Sequence, residues 1–314
     1  MFVGDHKMIE PIETAPAIIP EAPKFTDEEW SEARRSGDFM PILFEWYKFV
    51  GLLVVLCANI QRNSPALRPI APNQYHVLIG LLSRCARLML ANIALSHEGR
   101  FGETTAIIDR CIFESALNVS WLCTNSRDEK FKQYFATSLK VDIEFRDQIE
   151  SNIKTRGEIL PIERRMIHSI EGKIVSSELS EEQIRQSKKM PPVDAIMREL
   201  NLDRIHYVVS QKIGSHHVHG TWSSLLFHYL EEENANPLTF RIRDHDCATH
   251  INQFMYVCQN VLQALRAYIQ YALEDGEESS AFLLLFGATE SDIMNIYQEA
   301  IAVEDLKRNA EGSS

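Results

Sequence analysis

Along most of the chain apolar residues recur at helical rather than alternating spacing, which predicts a succession of helices. Two wide-faced helices are expected over residues 40–62 and 73–98, divided by Ser64-Pro65, Pro69 and Pro72. A third, over residues 102–122, is apolar around most of its circumference and should therefore be central. Residues 127–155 carry Phe131, Tyr134, Phe135, Leu139, Val141, Phe145 and Ile149 toward one side, an outer amphipathic helix. From 155 to 192 charges of both signs replace large apolar residues, which predicts a surface excursion of one or two short helices acting as a mobile cover. Short helices are expected at 193–200 and 204–213. An apolar pattern comes next over 221–232, then a polar loop at 233–237 and a long helix over 244–273. An acidic bend at 274–278, two small helices and a polar tail end the chain.

The totals agree with this pattern. Of 314 residues, 45% are hydrophobic and 24% charged, with only 13 glycines and 12 prolines. The expected fold class is all-α: one helical bundle over residues 38–307, with the charged excursion at 155–192 and a tail at 308–314. Residues 1–37, with Pro11, Pro16, Pro20 and Pro23, read as a disordered arm, either a solvated tail or a dock for a partner protein through Ala17-Ile18-Ile19. Within it Thr26 and Glu29 have the spacing of a capping box, so a short helix can start there. The net charge of −12 opposes broad binding of a phosphate backbone but leaves room for a small basic site. Six scattered cysteines without a C-x-x-C pair suit reduced thiols in a cytoplasmic protein. The apolar run at 49–60 is about half a bilayer long, so a core helix is expected and no membrane span.

Candidate chemistry begins on the central helix. Glu103, Arg110, Glu114 and Asn118 fall close to one line on a helix that is otherwise apolar, and buried charges need partners. Arg110 precedes Glu114, the weaker order for local helix support. The pair is either a guanidinium reaching across to another segment with Glu114 holding it, or a structural ion pair fixing the bundle. The expected partner segment is Ser215-His216-His217-Val218-His219-Gly220. Its three histidines diverge too widely to share one ion, and no cysteine pair is at hand, so no metal is expected. A histidine beside a hydroxyl and a glycine suits acid–base work, and Gly220 would permit close approach of a ligand or helix; a structural histidine is the alternative. Farther on, Arg243 and His250 have Arg-x6-His spacing near the start of the long helix, where anions are favoured.

The Arg110-x-x-x-Glu114 helix, joined downstream by Tyr207 and Ser215-x-x-Val218-His219-Gly220, resembles a bacterial family of uncharacterised helical proteins over residues 75 to 235. That family is similar to the HEPN (higher eukaryotes and prokaryotes nucleotide-binding) superfamily, many of whose members are metal-independent ribonucleases of toxin or antiviral systems. The resemblance implies RNA or a nucleotide as partner and no cofactor. It implies His219 as the acid–base group, Arg110 on phosphate, Glu114 orienting Arg110 and Ser215 positioning the substrate. This sequence departs from the superfamily's Arg-x4–6-His pattern: the basic residue upstream of the histidines is Lys212, a point charge without a bidentate fork. The resemblance also implies pairing across a two-fold axis, which the broad apolar faces would permit as a homodimer. The rival expectation is a non-catalytic interaction or nucleotide-sensing module.

Overall fold

The computed structural model of the protein describes residues 19–96, 99, 101–124, 127–243 and 251–311. Helix α1, Asp27–Ser36, starts from the capping box: Glu29 N–H donates to Thr26 Oγ1 at 3.3 Å and Thr26 N–H to Glu29 Oε2 at 2.7 Å. It ends at Gly37, whose φ of 74° lets its N–H return to the Ala33 carbonyl at 2.8 Å. Ala33 is buried, Trp30 packs on the core and Arg34 pairs with Glu299. The short helix that the capping box allowed within the arm is thus present, and it docks because Trp30 and Ala33 give it an apolar face that meets the core. Ala17 and Ile18 lie outside the described residues.

The bundle proper is α2 (Met40–Ala58), α3 (Pro72–Ser96), α4 (Gly102–Leu122) and α12 (Ile251–Ala272), with α4 against both α3 and α12. Tyr47, Leu53, Leu82, Ile112, Trp121 and Tyr268 are among its fully buried side chains. By length and composition α2 and α3 could each cross a bilayer; in the bundle α2 is committed to the core, from Ile42 to Cys57. Helix α5 (Arg127–Arg156) lies outside and buries Phe131, Ala136, Leu139, Ile143 and Ile149. Val141 and Phe145, expected on that face, are exposed instead.

The charged excursion forms α6 (Pro161–Ser176) and α7 (Glu181–Gln186), which pack on α5 around a small second core of Ala136, Leu139, Ile143 and Ile184. It covers α5 and contributes nothing to the cavity between α4 and α12, contrary to its expected role as a cover. Helix α8, Val193–Glu199, ties back to the core: Trp121 Nε1 donates to Glu199 at 2.8 Å, and buried Lys130 pairs with the same carboxylate.

Two predictions are corrected near the C-terminal half. Residues 230–242 are an antiparallel hairpin, β1 (Leu230–Ala235) with β2 (Leu238–Ile242), carrying a bulge between Glu232 and Asn234. Helix α11, Trp222–His228, therefore stops before the 232 predicted. Glu231-Glu232-Glu233 offers a helix no apolar stripe, Asn236-Pro237 supplies a turn, and Leu238-Thr-Phe-Arg-Ile242 favours extended backbone. The fold remains mostly all-α, with this one small sheet among the described residues. Second, the two small terminal helices are one, α13, Glu277–Glu311. Phe286, Ile293, Ile296 and Ala300 keep helical spacing into the core, and the lone Gly287 does not break it.

Candidate functional site

The site is built where a second, composite helix crosses α4. Residues 204–218 run as α9 (Arg204–Tyr207), a π-helical turn (Val208–Ile213) and α10 (Gly214–Val218). A π turn admits an extra residue and so rotates the next helical segment by about 100° relative to a plain α-helix. That segment begins with Gly214, the point of closest approach: a Cβ there would lie 3.2 Å from Arg110 Cβ and 3.4 Å from Arg110 Cδ. Gly220, expected to permit such an approach, has open space around it. Its left-handed φ of 54° instead turns the chain after α10.

Across that contact Arg110 donates from Nη1 to Ser215 Oγ at 2.8 Å and from Nε to Glu114 Oε1 at 3.1 Å. Gln211 Nε2 donates to the same Glu114 oxygen at 2.8 Å, and Ser215 Oγ donates to the Gln211 carbonyl at 2.8 Å. One guanidinium, one carboxylate, one hydroxyl and one amide thus close a ring between α4 and the composite helix. Asn118 continues the stripe two helical steps after Arg110 and is half-buried.

Two turns before Arg110 the same face of α4 meets the histidines. Glu103 accepts from Ser224 Oγ at 2.8 Å and from the Tyr229 hydroxyl. Ser224 Oγ lies 3.2 Å from His217 Nδ1, and His228 Nε2 is also 3.2 Å from that nitrogen. Because Ser224 gives its proton to Glu103, it accepts from His217, which assigns the His217 proton to Nδ1 and leaves Nε2 as the basic nitrogen. Burial pushes the pKa of His217 and of His228 below the ordinary value, with Glu103 opposing in both; both rings are neutral at pH 7.

Between α4, the composite helix and α12 lies a cavity of about 540 Å³, partly open to solvent and largely apolar. Its volume falls in the range of small-molecule sites. Arg110 and His217 both line it. So does Asp109, which neither charge pattern nor motif singled out. Its carboxylate accepts from Asn92 Nδ2 at 2.5 Å and from Gln253 Nε2 at 2.6 Å. Burial raises its pKa to about 7, against the lowering effect of the two amides.

The remaining candidates are scattered. His219 is exposed just past the end of α10 and does not line the cavity; its backbone N–H donates to the Ser215 carbonyl at 3.0 Å. Lys212 is exposed, its Nζ 5.7 Å from the centre of the Tyr207 ring, and Tyr207 packs against the core. Arg243 binds the Phe227 carbonyl through its guanidinium, and its backbone N–H donates to the Tyr229 carbonyl at 2.8 Å. His250 lies outside the described residues. Among the described residues no group of three or more His, Cys, Asp or Glu side chains is arranged to hold a metal ion.

These elements define a helical bundle with a ligand-sized cavity, at whose wall an arginine, a carboxyl and an imidazole pair converge. Residues 75–237, just over half of the chain, match a family of unknown function (DUF5677), and the chain belongs to that family. The matched stretch carries Arg110, Glu114, Ser215 and His217, whereas Gln253 on α12 lies beyond it. No curated protein and no solved structure matches the chain.

Proposed function

We propose that the protein is a HEPN-like, nucleotide-directed protein that binds a ribonucleotide unit in this cavity and cleaves its phosphodiester without a metal. The observation that carries the reading is that Arg110 and His217 line the same solvent-reachable cavity. His217, neutral at pH 7 and held in one tautomer by the Glu103–Ser224 pair, is suited to take the ribose 2′-hydroxyl proton at Nε2. The freed oxygen attacks phosphorus and the bond to the 5′-oxygen breaks, giving a 2′,3′-cyclic phosphate. The departing oxygen takes up a proton, in the simplest scheme the one His217 removed. Arg110 steadies the charge that develops on the phosphoryl oxygens, with Glu114 and Ser215 fixing its plane. In this reading His217 takes the role that the motif resemblance gives to His219.

A specific observation favours a second reading, nucleotide sensing without turnover: two guanidinium donors of Arg110 are already spent on Glu114 and Ser215. One experiment separates the two. Purified protein is incubated with short single-stranded RNA at pH 7, beside Arg110→Lys, His217→Ala and His219→Ala. Cleavage lost in the first two and kept in the third supports the catalytic reading. Equal cleavage by wild type and His217→Ala overturns it. Stabilisation by nucleotides with no cleavage leaves the sensing reading.

A further inference from the structure

Asp109 has no role in the chemistry above, yet it is the most perturbed acid facing the cavity. Among the described residues it has no cationic partner; its two hydrogen bonds come from the neutral amides of Asn92 and Gln253, one to each oxygen. Two titratable groups that feel its charge, the Tyr47 phenol from α2 and the Cys258 thiol from α12, are themselves pushed upward by burial and carry no charge at pH 7, and the neighbouring Arg110 guanidinium turns to Glu114 and Ser215. A purely structural buried acid is expected to be paired or sealed. Here the residue lines the cavity, and the protein gives each carboxyl oxygen one donor where an oxygen can take two.

Every partner the protein gives this carboxyl is an N–H donor, so the surroundings are arranged for the ionised form, and only the loss of water opposes it. A ligand that brings two more N–H donors would complete the shell and hold the charge. Phe113 and Tyr256 line the same cavity and offer flat apolar contact to the ring that carries those donors.

Resting on the nucleotide reading above, we propose that Asp109 is the specificity-determining residue of the cavity and selects a base that presents paired N–H donors, which means guanine over adenine. Guanine offers N1–H and N2–H side by side to one carboxylate. Adenine presents an acceptor at N1 and meets the ionised carboxylate lone pair against lone pair.

The test is calorimetric titration of the full-length protein with GMP, IMP and AMP at pH 8. The expected order of affinity is GMP, then IMP, then AMP, with GMP tighter than AMP by about tenfold to a hundredfold, the usual worth of a bidentate base contact. IMP lacks only the exocyclic amine, so the GMP-to-IMP ratio reads the second donor without altering the protein. Asp109→Asn is expected to collapse the GMP-to-AMP ratio toward one, a change in selectivity that a merely structural role would not produce. Equal GMP and AMP affinities in the wild type, or a GMP-to-AMP ratio unchanged in Asp109→Asn, overturn the assignment of Asp109 and leave the nucleotide site standing. Failure of all three nucleotides to bind overturns the nucleotide reading itself.

Discussion

Replacing Asp109 by asparagine isolates the cost of charging one carboxyl inside the bundle. Its pKa is about 7 in the folded protein, against about 3.9 for an unfolded aspartate. Between these values the folded chain holds a proton that the unfolded chain has released, so wild-type stability falls as pH rises through the interval. The contribution is fully present below pH 4 and gone above pH 7, at about 1.4 kcal/mol per pH unit. Asparagine keeps the shape and cannot ionise. From pH 5 to pH 8 the stability of Asp109→Asn relative to wild type should therefore rise by about 3 kcal/mol. Water drawn into the cavity beside the charged carboxylate would reduce that figure, which makes it an upper bound. Urea unfolding of both proteins at the two pH values measures it, with the difference between them cancelling every titration they share. A variant-to-wild-type difference that is the same at pH 5 and pH 8 would refute the account of Asp109.

Two further perturbations test the frame around the site. Gly214→Val forces a branched side chain onto Arg110 and should lower stability by about 1–3 kcal/mol, loosening α10 from α4, whereas Gly220→Ala should cost about 1 kcal/mol from its left-handed φ alone and leave nucleotide binding intact. Thermal melts with and without nucleotide separate the two, and equal loss of binding in both would contradict the packing role given to Gly214. His217 and His228 are held below the ordinary histidine value, so the unfolded state takes up more protons there and stability falls as pH drops through about 6.5. In His217→Gln that fall should be shallower between pH 7.5 and 5.5; an unchanged slope by urea unfolding would show that His217 is not held neutral.

The helices of the bundle were legible because their boundaries are written in residues with one strong local effect. Pro72 opens α3 and the Thr26–Glu29 box starts α1 where its spacing says, whereas α2 ends at Ala58, ahead of both Pro65 and the expected 62. The hairpin was not legible, since Glu231-Glu232-Glu233 is polar in any conformation and its pairing with Leu238–Ile242 depends on the turn between them. Of the site, Arg110, Glu114 and Ser215 could be read from a base placed before an acid on an apolar helix, an order that makes sense when the guanidinium has a partner elsewhere. The histidine could not be ranked by sequence. α10 ends at Val218, which exposes His219, while His217 sits one position inside the helix and turns to Ser224 and His228. Asp109 was hidden beside a louder neighbour. The available signal was an acid flanked by Ile107, Ile108 and Arg110 in an apolar helix, but its donors Asn92 and Gln253 come from two other helices.

Asp109 and Arg110 are adjacent, so on a helix their side chains leave α4 about 100° apart. That divergence lets one helix face a single cavity with two polar groups answering to different walls: Asp109 to α3 and α12, Arg110 to the composite helix. The first wall is part of the bundle's main core and is fixed by it. The second rests on a short run held by a ring of four side chains and by the bare backbone of Gly214. Local opening takes place where few apolar contacts hold an element, so the Arg110 side of the cavity is the side that can yield to a ligand, and the Asp109 side is the one that measures it.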